Sequence, residues 1–217
     1  MIACNLRGVR RVLCIGAHSD DIEIGCGGTV LHLIESSPNI EFHWLVLSSN
    51  PERAREAGRS ARAFLRRVRR KTIVVKSFRD GFLPYLGAPV KECFEDLKKT
   101  FVPDVIFTHF RQDLHQDHRL VCELTWNTFR NHFILEYEIP KYDADLRSPN
   151  FFVPLSDSIC RRKVQGLMRH FGTQRNKQWF SEDLFQGLMR LRGIEAASPT
   201  RYAEAFHCRK MLLQGLR

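Results

Sequence analysis

Apolar residues in the first two thirds of the chain fall by turns into short continuous runs and into stripes of helical spacing. Val12 to Ile15, Ile40 to Leu47, Thr72 to Val75, Val105 to Phe107 and Phe133 to Ile139 are short and β-rich, which suits strands covered on both faces of a parallel sheet. Between them, Val30, Leu31, Leu33 and Ile34 mark a helix that ends near Ser36-Ser37-Pro38, and a second helix starts after Ser48-Ser49-Asn50-Pro51. A third includes Val90 to Leu97, and a fourth runs from near Asp117 through Val121, Leu124, Trp126 and Phe129. Strands and helices in alternation predict an α/β fold, a Rossmann-like three-layer α/β/α arrangement with a mostly parallel sheet and strand order 3-2-1-4-5.

Beyond Asn131 the pattern changes. Pro140 to Pro149 is a polar, proline-bounded loop long enough to border a site, and Phe151 to Leu155 is another strand-like run. Ser156 and Ser181 each stand as N-cap of a helix, with Gly172 and Gly193 past the ends, and Tyr202 to Cys208 suits a final strand. The expected organisation is one domain over residues 1–217, with a core of residues 1–139 and a helical C-terminal cover of residues 140–217. A length of 217 residues, 43% hydrophobic, suffices for one sizeable core. Trp179, in the polar gap between the two cover helices, is expected to pin them together.

Composition narrows the function. The seven cysteines, Cys4 among them, are odd in number and scattered without a C-x-x-C pair, which argues against a disulfide framework or a cysteine zinc site and for a reducing cytoplasm. Arg7, Arg10 and Arg11 precede an apolar run too short for a signal segment, and no stretch approaches about 20 apolar residues, so export and membrane spanning are disfavoured. The net charge of +10 owes much to Arg55, Arg59, Arg62, Arg66 and Arg69, which line one side of the second helix opposite Ala57, Ala61, Phe64, Leu65 and Val68. That stripe raises a basic anion- or nucleic-acid-binding module as one alternative. A nucleic-acid motif and an interleaved aromatic platform are both missing, so this reading ranks low.

The ionisable residues cluster twice. After the first strand come His18, Asp20 and Asp21, ahead of Gly27-Gly28-Thr29, which opens the helical spacing. This places the three in the first strand-to-helix loop, at the sheet edge where α/β folds bind ligands. Imidazole and carboxylate suit a borderline cation such as zinc, with Asp20 left to take a proton; a cluster that simply caps the helix is the competing reading. The second cluster, His115-Gln116-Asp117-His118, follows the fourth strand. Strands one and four are neighbours in the expected order, which would bring His118 against His18 and Asp21 as three ligands with a fourth position open. A Rossmann-like cofactor site is a further alternative, weakened because Asp20, Asp21 and Glu23 would crowd a pyrophosphate with like charge. His109, at a strand end, reads as structural, and Asp113 as capping a turn.

These residues carry a resemblance. His18-Ser19-Asp20-Asp21-Ile22-Glu23-Ile24-Gly25-Cys26-Gly27-Gly28-Thr29 and His115-Gln116-Asp117-His118 resemble the two signatures of the PIG-L (LmbE-like) deacetylases, which remove acetyl groups from N-acetylglucosamine-type amines. Arg53-Ala54-Arg55-Glu56 resembles the family's R-x-x-E, and Tyr202-Ala203-Glu204-Ala205-Phe206 its C-terminal segment. The resemblance implies a zinc-dependent de-N-acetylase, with zinc or another divalent metal held by His18, Asp21 and His118. It implies Asp20 as general base, His115 as oxyanion stabiliser or proton donor oriented by Asp117, and Arg53 as a substrate contact. The implied partner is a small N-acetylated amino sugar or glycoconjugate; a homo-oligomer is compatible with all of this. Ser19 departs from the family's usual proline, and Phe64-Leu65-Arg66-Arg67 from its usual Leu-Gly helix end.

Overall fold

The computed structural model describes Leu6 and residues 8–37 and 39–212; Cys4, Arg7 and Pro38 lie outside the described residues. In chain order the elements are β1 (Arg11–Gly16), α1 (Asp21–Ser36), β2 (Glu41–Ser48), α2 (Pro51–Phe64), β3 (Arg70–Phe78), a 3₁₀ turn (Leu83–Leu86), α3 (Gly87–Thr100), β4 (Val105–His109), α4 (Gln116–Thr128), β5 (Phe133–Tyr137), β6 (Phe151–Leu155), α5 (Asp157–His170), α6 (Glu182–Glu195) and β7 (Tyr202–His207). They form the expected three-layer α/β/α arrangement around a seven-stranded sheet ordered β3-β2-β1-β4-β5-β7-β6. The pairs from β3 through β5 are parallel, whereas β7 runs antiparallel to both β5 and β6.

Alternation along β1 separates the two cores. Val12 and Cys14 face one side with α1, α2, α5 and α6, whose Val30, Ala57, Val164 and Met189 join that cluster; Leu13 and Ile15 face the other with Val90 and Phe94 of α3 and Val121 of α4. Because β1 lies between β2 and β4, the chain leaves its carboxyl end toward α1 on one side, while β4 leads to α4 on the other. A cleft opens there, at the switch in strand order.

The start of α1 differs from the expectation. It begins at Asp21, so Asp21 is the first helical residue, Asp20 is the N-cap, and Gly25, Gly27 and Gly28 lie inside the helix. Glycine is a poor helix former, which is why the pattern points to a later start. Packing decides otherwise: a Cβ at Gly25 would collide with the Tyr137 ring, and one at Gly28 would sit 2.9 Å from the Glu204 carboxylate. The glycines let α1 lie against β5 and β7. Glu204 of β7 accepts from Gly28 N (2.8 Å), Thr29 N (2.6 Å) and Thr29 Oγ1 (2.6 Å), and buried Lys163 of α5 donates to it at 2.6 Å.

The arginine stripe is also shorter than the spacing suggests. Leu65 caps α2, and Lys71 donates to Leu65 O (3.0 Å) and Val68 O (2.7 Å), so Arg66 and Arg69 fall beyond the helix. The turn matches the point where the sequence departs from the family's helix end. No helix among the described residues is long and apolar enough to cross a membrane.

Candidate metal and catalytic site

β1 delivers His18 to the cleft in the four-residue connection to α1, and Asp21, in the first turn of α1, accepts the His18 backbone N–H at 2.6 Å. From β4 the chain turns through Asp113 and His115 into α4. His115 is the N-cap, its Nδ1 accepting from Asp117 N at 3.2 Å, and His118 follows in the first turn. The two loops meet. His18 Nδ1 lies 3.0 Å from His118 Nε2 and 3.3 Å from Asp21 Oδ2, and His118 Nε2 lies 3.6 Å from Asp21 Oδ1.

Those three separations suit a divalent metal. Four ligands about 2.0–2.2 Å from a tetrahedral ion stand roughly 3.3–3.6 Å apart. Two ring nitrogens turned toward each other beside a carboxylate are a donor set that a cation satisfies. Behind each ring stands a carboxylate: Asp117 Oδ2 lies 3.2 Å from His18 Nε2, and Asp113 Oδ2 lies 2.9 Å from His118 Nδ1. Such partners fix the ring orientation and leave the opposite nitrogen for the metal. Asp21 turns Oδ2 to His18 and Oδ1 to His118, whereas three other combinations bring one donor atom from each residue within 4.8 Å of one another: His18, His115 and His118; Asp21, His109 and His118; and His18, Asp80 and Asp117. The last two are partly spent: His109 Nε2 accepts Ala17 N at 2.9 Å, and Asp117 accepts Gly81 N (2.8 Å) and Leu83 N (3.1 Å).

Protonation follows the same pattern. Burial opposes a charge on His18, but the carboxylates of Asp21, Asp117 and Asp80 hold its pKa well above the ordinary value. Burial pushes Asp21 up, yet His118, His109 and His18 outweigh it and keep Asp21 well below the carboxylate range. His118 is pushed down to about 3, by burial and then by His109, against Asp21 and Asp113, so it is a neutral donor at physiological pH. The pocket is built to hold positive charge.

Asp20 differs from Asp21 in every contact. Its Oδ1 accepts from Arg53 at 2.6 Å, while Oδ2 is buried with no partner. Burial raises its pKa and Arg53 only partly offsets the shift. His115 is lowered by burial and by the charge of His18, so its ring is neutral; with Nδ1 accepting, the proton sits on Nε2. His18, Asp20, Asp21, Arg53, His115 and His118 all line one cleft of about 340 Å³. Asp117 stands behind it: its carboxylate contacts His18, and only its backbone N–H meets the His115 ring, so it is placed to orient His18 more directly than His115.

The supporting roles of several residues are not evident from sequence. Asp113 holds His118 and also accepts His115 N at 2.8 Å, and Lys141, from the loop after β5, contacts it at 3.1 Å. His109 stacks on His118 with ring centroids 3.9 Å apart. Glu56 accepts from Thr173 N (2.9 Å) and Oγ1 (2.6 Å), fixing the turn that brings Gln174 to the cleft. Trp179 packs edge-on against Phe180 at 5.6 Å and also lines the cleft. The D-x-H spacing of Asp113 is the one local signal among these.

The fold has known counterparts. N,N'-diacetylchitobiose deacetylase from Pyrococcus horikoshii, in complex with its inhibitor MPG, superimposes with a TM-score of 0.67 at 20% identity, covering 92% of this chain and 84% of that one. GalB, the 4-carboxy-2-hydroxymuconate hydratase from Pseudomonas putida KT2440, gives 0.74 at 14% identity over 96% and 100%. The zinc-inhibited form of teicoplanin deacetylase Orf2 gives 0.69 at 13% identity over 91% and 97%. At these identities the likeness establishes the fold, and the fold carries more than one chemistry. The family profile described as PIG-L, GlcNAc-PI de-N-acetylase, matches residues 13–129. That span is more than half of the chain and contains both loops of the cleft together with Arg53, and the chain therefore belongs to the PIG-L family.

Proposed function

We propose that this protein is a metal-dependent hydrolase that removes the acetyl group from an N-acetylated amino sugar or its conjugate, with zinc as the metal. The observation that carries this reading is the pairing of a three-donor His18–Asp21–His118 centre with the unpartnered Oδ2 of Asp20 in the same cleft. Bound by those three residues, a divalent cation supplies Lewis acidity, polarising the acetamide carbonyl and lowering the pKa of water. The chain's own groups do the rest. Arg53 fixes the Asp20 carboxylate through Oδ1, leaving Oδ2 to accept a proton from the attacking water. His115, protonated on Nε2, donates to the carbonyl oxygen as negative charge develops there. Asp20 then returns the proton to the departing amine, so that acetamide and water become acetate and free amine.

In this reading residues 1–217 act as one domain, a view supported by β7 of the cover entering the sheet beside β5. We assign the protein to the cytoplasm on its cysteines, which are scattered and lack a C-x-x-C pair. The cofactor-binding alternative loses ground at the N-terminus of α1, where Asp20 and Asp21 occupy the position that a bound phosphate would take.

The test is acetate release from a panel of N-acetylated amino sugars by protein loaded with divalent metal, alongside metal content. The wild type should retain stoichiometric metal and release acetate; His118→Ala should lose both, because two ligands from one loop hold an ion poorly. Full metal occupancy in His118→Ala would overturn the ligand assignment.

A further inference from the structure

The connection between α5 and α6 carries a polar group that the fold leaves unused. Gln174 is 3% exposed and lines the cleft, yet its Oε1 is buried without a partner among the described residues. A buried acceptor left unpaired costs free energy, so its presence in a cleft asks for a donor from a ligand.

The orientation of the Gln174 amide is dictated from behind. Glu56 of α2 accepts from Thr173 N at 2.9 Å through Oε1 and from Thr173 Oγ1 at 2.6 Å through Oε2. A hydroxyl has one hydrogen, and this one is engaged by the carboxylate, so toward Gln174 the Thr173 oxygen can only accept. Gln174 meets it with Nε2, at 3.2 Å. Turning the amide over would set oxygen against oxygen with no hydrogen between them. Oε1 is thereby fixed as the free acceptor. Arg53 stands one turn before Glu56 on the same helix, so the R-x-x-E segment holds the Asp20 carboxylate with its first residue and, through Thr173, the Gln174 amide with its last.

An acetylated amino sugar offers two kinds of donor, the acetamide N–H and the ring hydroxyls. The reacting centre is built from other groups: among the described residues, the hydrogen bonds of His18, Asp20, Asp21, His115 and His118 include none to Gln174. Gln174 comes instead with the connection that brings Lys177 and Trp179 to the cleft. We infer that Gln174 Oε1 accepts a hydrogen bond from one ring hydroxyl of the substrate, selecting a sugar with a free hydroxyl at that carbon. A sugar deoxygenated there leaves the acceptor unpaired, and one carrying a phosphate or carboxylate there sets acceptor against acceptor. The inference rests on the deacetylase reading for the presence of the sugar.

The probes are methyl β-N-acetylglucosaminide and its 3-, 4- and 6-deoxyfluoro analogues, in which fluorine replaces a hydroxyl but has no hydrogen to donate. With metal-loaded wild type, kcat/KM for one analogue should fall about 5- to 150-fold through the unpaired acceptor. Gln174→Met, similar in length but without the amide, should lower kcat/KM for the parent sugar by about the same factor and leave that analogue almost unchanged. The ratio of parent to that analogue then approaches 1, while the ratios for the other two stay as in wild type. A purely structural role would depress all four sugars alike. Should Gln174→Met not fold, Gln174→Asn, which withdraws the amide by one methylene, reads the same ratio. Calorimetric titration of the four sugars provides an arm independent of turnover. Acetate release with every ratio unchanged by the substitution would overturn the inference while the deacetylase reading stands. If no acetate is released but the affinities show the ratio that depends on Gln174, the deacetylase reading fails and the acceptor survives. If the sugars are neither turned over nor bound, both fail.

Discussion

In the floor of the cleft, His18, Asp21 and His118 are buried and each ring nitrogen of the two histidines faces a carboxylate or the other ring. In the wall contributed by residues 140–191, Tyr142, Leu146 and Leu191 stand exposed to water. The floor comes from two loops that the central strands hold in register, and its side chains have little freedom to repack. The wall comes from connections and from the outside of a helix, where a substitution meets solvent. On the proposed function, reaction type belongs to the region where burial is complete, and substrate choice to the region where it is not. Behind both, long-range contacts tie the C-terminal part of the chain to α1, chief among them Glu204 of β7 with Gly28 of α1 and Lys163 of α5.

The largest expected effect lies within the floor and separates its two adjacent aspartates. Asp20→Asn keeps the shape and the contact with Arg53 but cannot act as a base at neutral pH. Loss of general-base help costs about 10²- to 10⁴-fold, so kcat should fall by that order with KM nearly unchanged and metal content intact. Asp21→Asn should release the metal. Metal content and kcat measured on both variants decide the matter; retention of near-normal turnover in Asp20→Asn would remove its assignment as base.

A second substitution tests whether the joint is purely structural. Glu204→Leu leaves the buried Lys163 ammonium with the Ile24 carbonyl (2.6 Å) but no counter-charge, and takes the carboxylate away from Gly28 N and Thr29 N. Breaking one side of a buried pair typically costs about 3–5 kcal/mol, or about 6–20 °C in Tm for a chain of this size. Measured well below its melting point, the variant should turn over at close to the wild-type rate. A collapse in kcat with Tm unchanged would break the distinction between floor and joint.

The same division explains what the sequence discloses. The order of the parallel strands and the meeting of His18 and Asp21 with His118 are legible because each is written in contiguous residues: apolar runs for the strands, two compact clusters for the loops. The contacts that complete the molecule have no local spacing. Glu204 reaches Gly28 across 176 positions and Glu56 reaches Thr173 across 117, and nothing near either residue specifies its partner. The glycines of α1 show the problem in small. Their propensity argues for a turn, and only the Tyr137 ring and the Glu204 carboxylate, both distant in sequence, turn them into packing positions inside a helix. Insertion of β7 between β5 and β6 is of the same kind, since an antiparallel return strand can join either edge of its neighbour.

The smallest effect is expected at the seam, where His207 of β7 stacks on Phe110, just past β4, with ring centroids 3.7 Å apart. Burial, and then the neighbouring Arg192, push the His207 pKa down to about 4 from its ordinary 6.5, and its Nε2 is buried without a partner. The folded protein therefore holds this ring neutral at a pH where the unfolded chain would protonate it. More protons bound by the unfolded state mean that stability falls as pH falls. The contribution is complete above about pH 6.5, declines through the window from 6.5 to 4, and is lost below that. Because the ring is partly open to water, screening reduces the penalty to about 1 kcal/mol, or about 2–4 °C in Tm. His207→Phe keeps the stack without the titration, so the difference in Tm between wild type and variant should change by that amount between pH 7 and pH 4. A constant difference across the window would mean that the seam tolerates a charged ring and is as open to solvent as the wall above it.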